Sequence, residues 1–242
     1  MKIEWWNFGL STSHIKNKLN DVINKRCIST SLFTEELERK LEKFLKVKHV
    51  IAVSSGSMAT VLAFMALKIE PKDEIIIPNV GWISVINACK ILGATPVIVD
   101  VDKDKPTISI ENIKSNITKK TKIIFPIYMN VRTIEINKIK SIFKKKKIFF
   151  VEDAAQALGI KYKNKFVGTF GDIGIFSMSI TKLLSSGQGG FLVTNDKKIA
   201  KNLYMMSRHG YRDVRNIKSW DKYGGNFKIS DLCSAVAIIQ LK

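Results

Sequence analysis

Seven short, almost unbroken apolar runs limit what this 242-residue chain can fold into. They are VIAVS (50–54), EIIIP (74–78), TPVIVDV (95–101), KIIFPI (122–127), KIFFVED (147–153), IGIFSM (173–178) and GFLVTN (190–195). Runs this short that lack polar alternation suit strands buried on both faces, and most are separated by stretches of helical length. The alternation predicts an α/β fold with a mainly parallel sheet. With 45% hydrophobic residues, the chain can bury a proper core as one large domain, or as a domain plus an incomplete second one. Before the first run, TEELERKLEKFLK (34–46) carries Leu37, Leu41, Phe44 and Leu45 at helical spacing, with Thr34 as the expected cap.

In sheets of this kind ligands collect beyond the carboxyl ends of the strands, where loops and helix N-termini converge. After VIAVS come Ser55, Gly56 and Ser57 and then a helical pattern, MATVLAFMAL. Small residues at a helix start offer backbone N–H groups to a phosphate, although a plain capped turn has the same composition. No GxxxxGK or GxGxxG motif is present, which disfavours a P-loop ATPase or a dinucleotide-binding dehydrogenase. Asp153 closes the run KIFFVED, where a carboxylate needs either a helix to cap or a cationic partner. Lys182 stands 29 positions on, just past IGIFSM and its hydroxyl neighbours Ser177, Ser179 and Thr181. A lysine at a water-poor strand end has its ammonium form disfavoured, leaving an amine able to attack carbonyls. A buried carboxylate can keep a pyridine nitrogen protonated. Together with the phosphate cradle, these residues describe a pyridoxal-phosphate site better than any other cofactor site, and the glycines of SSGQGG (185–190) let backbone pass close to a ligand.

The net charge of +19 raises the question of nucleic acid. Its lysines are scattered along the chain without a recognisable binding module, so no nucleic-acid partner is expected. The basic group 144–147 reads as a solvated connection between helix and strand. Cys27, Cys89 and Cys233 are odd in number and lack CxxC spacing, which argues for a reducing compartment and against a disulfide framework. His14, His49 and His209 lack metal-ligand spacing, and no metal is expected. MKIEWWNFGL (1–10) has no apolar signal region and VLAFMAL (61–67) is too short to span a bilayer, so a cytoplasmic protein without a membrane partner is expected.

Five stretches then occur in the order found in one family: VKHVIAVSSGSMATVLAFMAL, GWISVINACKILGATPVIVDVD, VEDAAQALG, FSMSITKLLSSGQGGFLVTND and GGNFKISDLCSAVAIIQLK. The chain resembles the DegT/DnrJ/EryC1/StrS nucleotide-sugar aminotransferases from about residue 5 onward. The resemblance implies the type I pyridoxal-phosphate transferase fold, with a three-layer α/β/α large domain over 34–230, an N-terminal segment over 1–33, and, in 231–242, the start of a helix leading to a small domain beyond this sequence. It further implies that Lys182 bonds covalently to the cofactor, Asp153 pairs with the ring nitrogen and Trp82 stacks on one ring face. Gly56, Ser57 and Ser177 would bind the cofactor phosphate, Gln156 would approach the ring's oxygen side, and Asn226 would reach the phosphate of a second subunit, making a homodimer with shared active sites. Without the resemblance, Trp82 reads equally as core and Asn226 as a turn residue. The implied reaction moves an amino group, with glutamate as donor, to a keto group of a nucleotide-linked deoxysugar, in surface polysaccharide or other glycan biosynthesis.

Two departures stand out. Where the family has a stretch like PVHLYG, this chain reads PIYMNV (126–131), which replaces a histidine and a glycine and points to a different substrate end of the pocket. The family also continues past the last helix, so Leu232, Val236, Ile239 and Leu241 are expected to be partly bare in this chain. Alternatives within these residues are an inactive remnant of the family, a sugar dehydratase using the same cofactor, and a basic nucleic-acid binder. Members of the dehydratase branch carry histidine in place of the lysine, which Lys182 argues against.

Overall fold

The computed structural model describes residues 12–146, 148–211 and 223–241. The N-terminal stretch read above for a signal region, and Lys147 and Lys242, lie outside the described residues. Seven strands form one sheet: β1 (His49–Val53), β2 (Glu74–Pro78), β3 (Thr95–Val99), β4 (Thr121–Ile124), β5 (Phe149–Asp153), β8 (Ile173–Ser177) and β9 (Gly190–Thr194). Their order across the sheet is β1-β9-β8-β5-β4-β2-β3. Only β9 runs against its neighbours, pairing antiparallel with both β1 and β8. The four pairings among β2, β3, β4, β5 and β8 that build the remainder are all parallel, as the apolar runs predicted. A two-stranded hairpin, β6 (Lys161–Tyr162) with β7 (Lys165–Phe166), stands apart from the main sheet.

Consecutive residues of the strands other than β3 feed opposite cores, which is why those runs show no polar alternation, whereas β3, at the sheet edge, leaves Ile98 54% exposed and buries only Val99 fully. Ile76, Ile124, Phe150, Phe176 and Phe191 belong to one buried cluster, while Ile75, Ile123, Val151, Ile175 and Leu192 belong to the other. The first face is covered by α1 (Thr12–Asn24), α2 (Leu32–Leu45), α5 (Ile110–Asn116), α6 (Ile136–Lys146) and α8 (Asp231–Ile238). The second is covered by α3 (Gly56–Ala66), α4 (Ser84–Ile91) and α7 (Lys197–Met206). The result is three layers, α/β/α. Phe176 and Phe191 stack across β8 and β9 at 4.6 Å between ring centroids, in the middle of the first core.

Thr34 does not cap α2. The cap position falls to Ser31, and Thr34 lies inside the helix with its hydroxyl donating to Asp231 Oδ1 at 2.6 Å. Asp231 is fully buried and accepts backbone N–H groups of Ser31 and Thr34, each at 2.9 Å, so a carboxylate from α8 satisfies the first turn of α2. These charge-rich hydrogen bonds outweigh burial and hold its carboxyl below the usual carboxylate range. The group 144–147 is also less of a connection than expected, because α6 runs through Lys146. Leu232, Val236, Ile239 and Leu241 are each half-buried.

Candidate active site

The carboxyl ends of β1, β5 and β8 and the start of β9 meet at one end of the sheet. Val53 pairs with Gly190, Gly190 with Ser177, and Ile175 with Asp153. A cleft of about 280 Å³ opens there, and its lining includes Gly56, Ser57, Trp82, Asp153, Gln156, Ser177 and Lys182. Residues that are up to 126 positions apart in the sequence are thereby brought together from the ends of β1, β5 and β8, the loops that follow them and the loop after β2. A hollow of about 660 Å³ between 101–114 and 133–138 shares none of these residues.

The phosphate-cradle reading rests on α3. Ser55 is extended (φ −167°, ψ 163°) and its Oγ accepts the Met58 N–H at 3.1 Å, which caps the helix. The amides of Gly56 and Ser57 have no acceptor within the helix, and the positive end of the helix dipole lies at the cleft. A Cβ on Gly56 would come within 3.0 Å of the Ser177 Cβ, so the two phosphate candidates are neighbours. A Cβ on Gly190 would fall 2.5 Å from the Gly56 N, and the missing side chain is what lets β9 start against the cradle.

Asp153 is the one acid and Lys182 the one base among the cleft-lining residues. The Asp153 Oδ1 accepts the Ala155 N–H at 3.0 Å, and its own backbone is tied to the next loop by Asp153 N–H to Pro126 O (2.9 Å) and Tyr128 N–H to Asp153 O (3.0 Å). Burial raises its carboxyl above the ordinary value, while the Ala155 amide and the charge of Lys182 work in the other direction. A carboxylate so placed gains from a second cation. Lys182 is half-buried, and its N–H donates to Ser179 O at 3.0 Å in a turn that follows β8. An anion-binding helix start, a desolvated carboxylate and an amine on one cleft are the donor set that pyridoxal phosphate needs, and the residues fit that group.

Trp82 is 72% exposed and lines the cleft, so it is not core. The Oε1 of Gln156 accepts the Asn130 N–H at 2.9 Å, which commits one end of that side chain to the loop after β4. Asn226 is the exception among the sequence-selected residues. It is exposed, pairs with Arg208 in an isolated bridge and does not line this cleft. Thr60, Ser84 and Gln188 do line it and were not singled out by sequence. Gln188 sits inside the glycine loop and Ser84 two residues after Trp82, but neither spacing nor composition distinguishes them from loop residues.

The GDP-perosamine synthase of Escherichia coli O157:H7 is 34% identical over 233 residues, covering 96% of this chain and 64% of that protein. Among solved structures, an aminotransferase from Psychrobacter cryohalolentis superimposes with a TM-score of 0.91 at 26% identity, covering 97% of this chain and 62% of that one. S. venezuelae DesV, solved with a ketimine intermediate, superimposes with a TM-score of 0.90 at 28% identity, covering 95% and 61%. The chain thus spans a little under two thirds of each relative's length. The family model for DegT/DnrJ/EryC1/StrS aminotransferases matches residues 11–242, in agreement with the order of motifs and with the cleft at the strand ends. The chain belongs to the DegT/DnrJ/EryC1/StrS aminotransferase family.

Proposed function

We propose that the chain works as a pyridoxal-phosphate-dependent aminotransferase, moving an amino group from an amino acid, glutamate in the first instance, to the keto group of a nucleotide-linked deoxysugar. The observation that carries this reading is the convergence of Lys182, Asp153 and the first turn of α3 on one cleft. A sugar dehydratase on the same fold is disfavoured by Lys182, since that branch carries histidine at this position.

Pyridoxal phosphate, when bound, supplies an aldehyde that captures amines and a ring that withdraws electrons from the attached carbon. The amides of Gly56 and Ser57 and the hydroxyls of Ser57 and Ser177 would hold its phosphate at the helix start. Asp153 would keep a proton on the ring nitrogen, and its desolvated surroundings would strengthen that pairing. Trp82 would stack on one ring face and keep water from it. The Lys182 amine would hold the resting cofactor and, once free, would take the proton from the donor's α-carbon. In the second half-reaction the same amine would return a proton at the sugar carbon.

Asn226, exposed and outside its own cleft, serves the phosphate of a second copy, which makes the working unit a homodimer. No helix among the described residues is long and apolar enough to cross a membrane, and the reaction is assigned to the cytoplasm, where nucleotide sugars are the substrates.

Borohydride reduction of the purified chain mixed with pyridoxal phosphate should fix the cofactor on Lys182, as read by peptide mapping. Amine transfer from glutamate to GDP-4-keto-6-deoxymannose then tests the substrate. Labelling of other lysines with Lys182 unmodified would reject the site.

A further inference from the structure

Beside Lys182 the cleft continues into a second chamber of about 510 Å³, which shares Ala155, Gln156, Ser177, Thr181 and Lys182 with the first. What it adds is largely aliphatic: Val131, Leu158, Leu183 and Leu184, with Asn130 as the one polar addition. Val131 is 48% exposed and Leu183 is 76% exposed, so both present apolar surface that a ligand in the chamber would cover.

The backbone of Val131 is as unusual as its position. Its φ is +60°, and Asn130 before it has φ 48° and ψ 50°. Asparagine tolerates that left-handed region, but a β-branched residue crowds its own carbonyl there. Position 131 is also where the family resemblance leads one to expect a glycine, which would adopt the same backbone without strain. The turn is held from both sides. The Asn130 N–H is donated to Gln156 Oε1 at 2.9 Å, the Arg132 N–H to Met129 O at 3.1 Å, and the Tyr128 N–H to the Asp153 carbonyl at 3.0 Å. A strained side chain at the mouth of a reaction cleft, anchored to the strand that carries Asp153, is the pattern of a functional constraint.

We propose that Val131 is a specificity-determining residue whose isopropyl group, with Leu183, forms an apolar wall that favours an acceptor sugar turning a methyl group towards it over one bearing a hydroxymethyl group. The methyl of a 6-deoxyhexose is a wholly apolar substituent, and a hydroxyl added to it would lose water against an aliphatic wall without gaining a partner. The proposal rests on the nucleotide-sugar reading above.

The test compares GDP-6-deoxymannose with GDP-mannose, which differ in one hydroxyl. Binding to the full chain in the presence of pyridoxal phosphate is followed by calorimetry. The 6-deoxy sugar should bind about 10-fold more tightly or better. V131T keeps the shape and the branch but adds a hydroxyl, and should reduce that ratio at least about threefold; V131G should reduce it similarly. V131G should also melt about 2–4 °C higher than the parent, through release of the left-handed strain. An unchanged sugar ratio in both variants, or no rise in melting temperature for V131G, overturns the proposal while leaving the substrate class intact. If neither sugar binds although the cofactor is taken up on Lys182, the nucleotide-sugar reading fails and the proposal falls with it.

Discussion

The Oε1 of Glu38, on α2, accepts the Ala52 N–H of β1 at 2.8 Å. One turn along the same helix, Glu42 Oε1 accepts the Val50 N–H at 3.2 Å, and the next outward donor, Ser54 N–H, goes to Phe227 O at 2.8 Å. β1 lies at the edge of the sheet, and its open row of amides is closed by side chains and a loop, which removes a template for pairing with another chain. Burial pushes the Glu38 carboxyl up to about 7; the Ala52 N–H and the charge of Arg208 lower it, while Glu42 and Glu35 add to the rise.

That shift has a pH consequence. The folded chain holds a proton on Glu38 that the unfolded chain has already released, between about pH 4.5 and 7. Its contribution to stability is therefore full below the unfolded value and is lost as pH rises through 7. Glu38→Gln keeps an acceptor for Ala52 and carries no charge. It should match the parent at pH 5 and exceed it at pH 8 by about 2–3 kcal/mol in urea unfolding, and a difference that does not grow with pH would refute the assignment.

Glu152 and Asp153 are adjacent on β5 but face opposite ways. Glu152 is fully buried and accepts the hydroxyl of Tyr128 and the amides of Gly168 (3.0 Å), Phe170 (2.6 Å) and Gly171 (2.7 Å). Tyr128→Phe removes one of four donors and should cost about 1–3 kcal/mol in chemical denaturation, with cofactor absorbance unaltered. Glu152→Ala leaves three buried amides unpaired and should cost considerably more, in excess of about 3 kcal/mol.

Asp153→Ala tests the other half of the pair. The carboxylate lines the cleft and supports only one neighbouring amide, Ala155, so the fold should persist with a loss of about 1 kcal/mol. Amine transfer should fall below detection, because the ring nitrogen loses its partner. Turnover at the parental rate would show that another group does this work.

Two glycines of one loop should separate space from backbone strain. At Gly190 an added methyl meets the backbone of Ser55 and Gly56 at 2.5 to 2.8 Å, so Gly190→Ala should displace the start of α3, weaken pyridoxal-phosphate uptake at least tenfold and cost about 1–3 kcal/mol. At Gly187 nothing lies within 4 Å, and only its φ of +77° resists a side chain. Gly187→Ala should cost about 1–2 kcal/mol and leave cofactor affinity unchanged. Equal cofactor affinities in the two variants would contradict the close contact of β9 with the cradle.

Much of this arrangement was legible beforehand for a physical reason. Strands buried on both faces advertise themselves as continuous apolar runs, and all seven runs hold strands, although the edge strand β3 is apolar without being buried on both faces. Ligand-bearing strand ends follow from that, which is how Asp153 and Lys182 could be paired before their positions were known. Thr34 was misjudged as a cap because the acceptor that starts α2 comes from Asp231, nearly two hundred residues away, and no local pattern encodes it. The hairpin of β6 and β7 was missed because two-residue strands carry no periodicity. Ser84 and Gln188 reach the cleft only through tertiary packing. The left-handed turn at Val131 was also invisible, since valine is the wrong residue to announce a positive φ.

The reversed strand also sets a timetable. β9 closes the sheet between β1 and β8, so Val53 and Ser177 gain their common neighbour only when Gly190 arrives. The N–H of Lys48, just before β1, donates to the Oδ1 of Asn195, 147 residues later. A chain emerging from the ribosome therefore has its helix start, its carboxylate and its lysine before it has the sheet that brings them to one cleft, and completion of the proposed cofactor site must wait until the strand after the glycine loop has left the exit tunnel and slipped between its two partners.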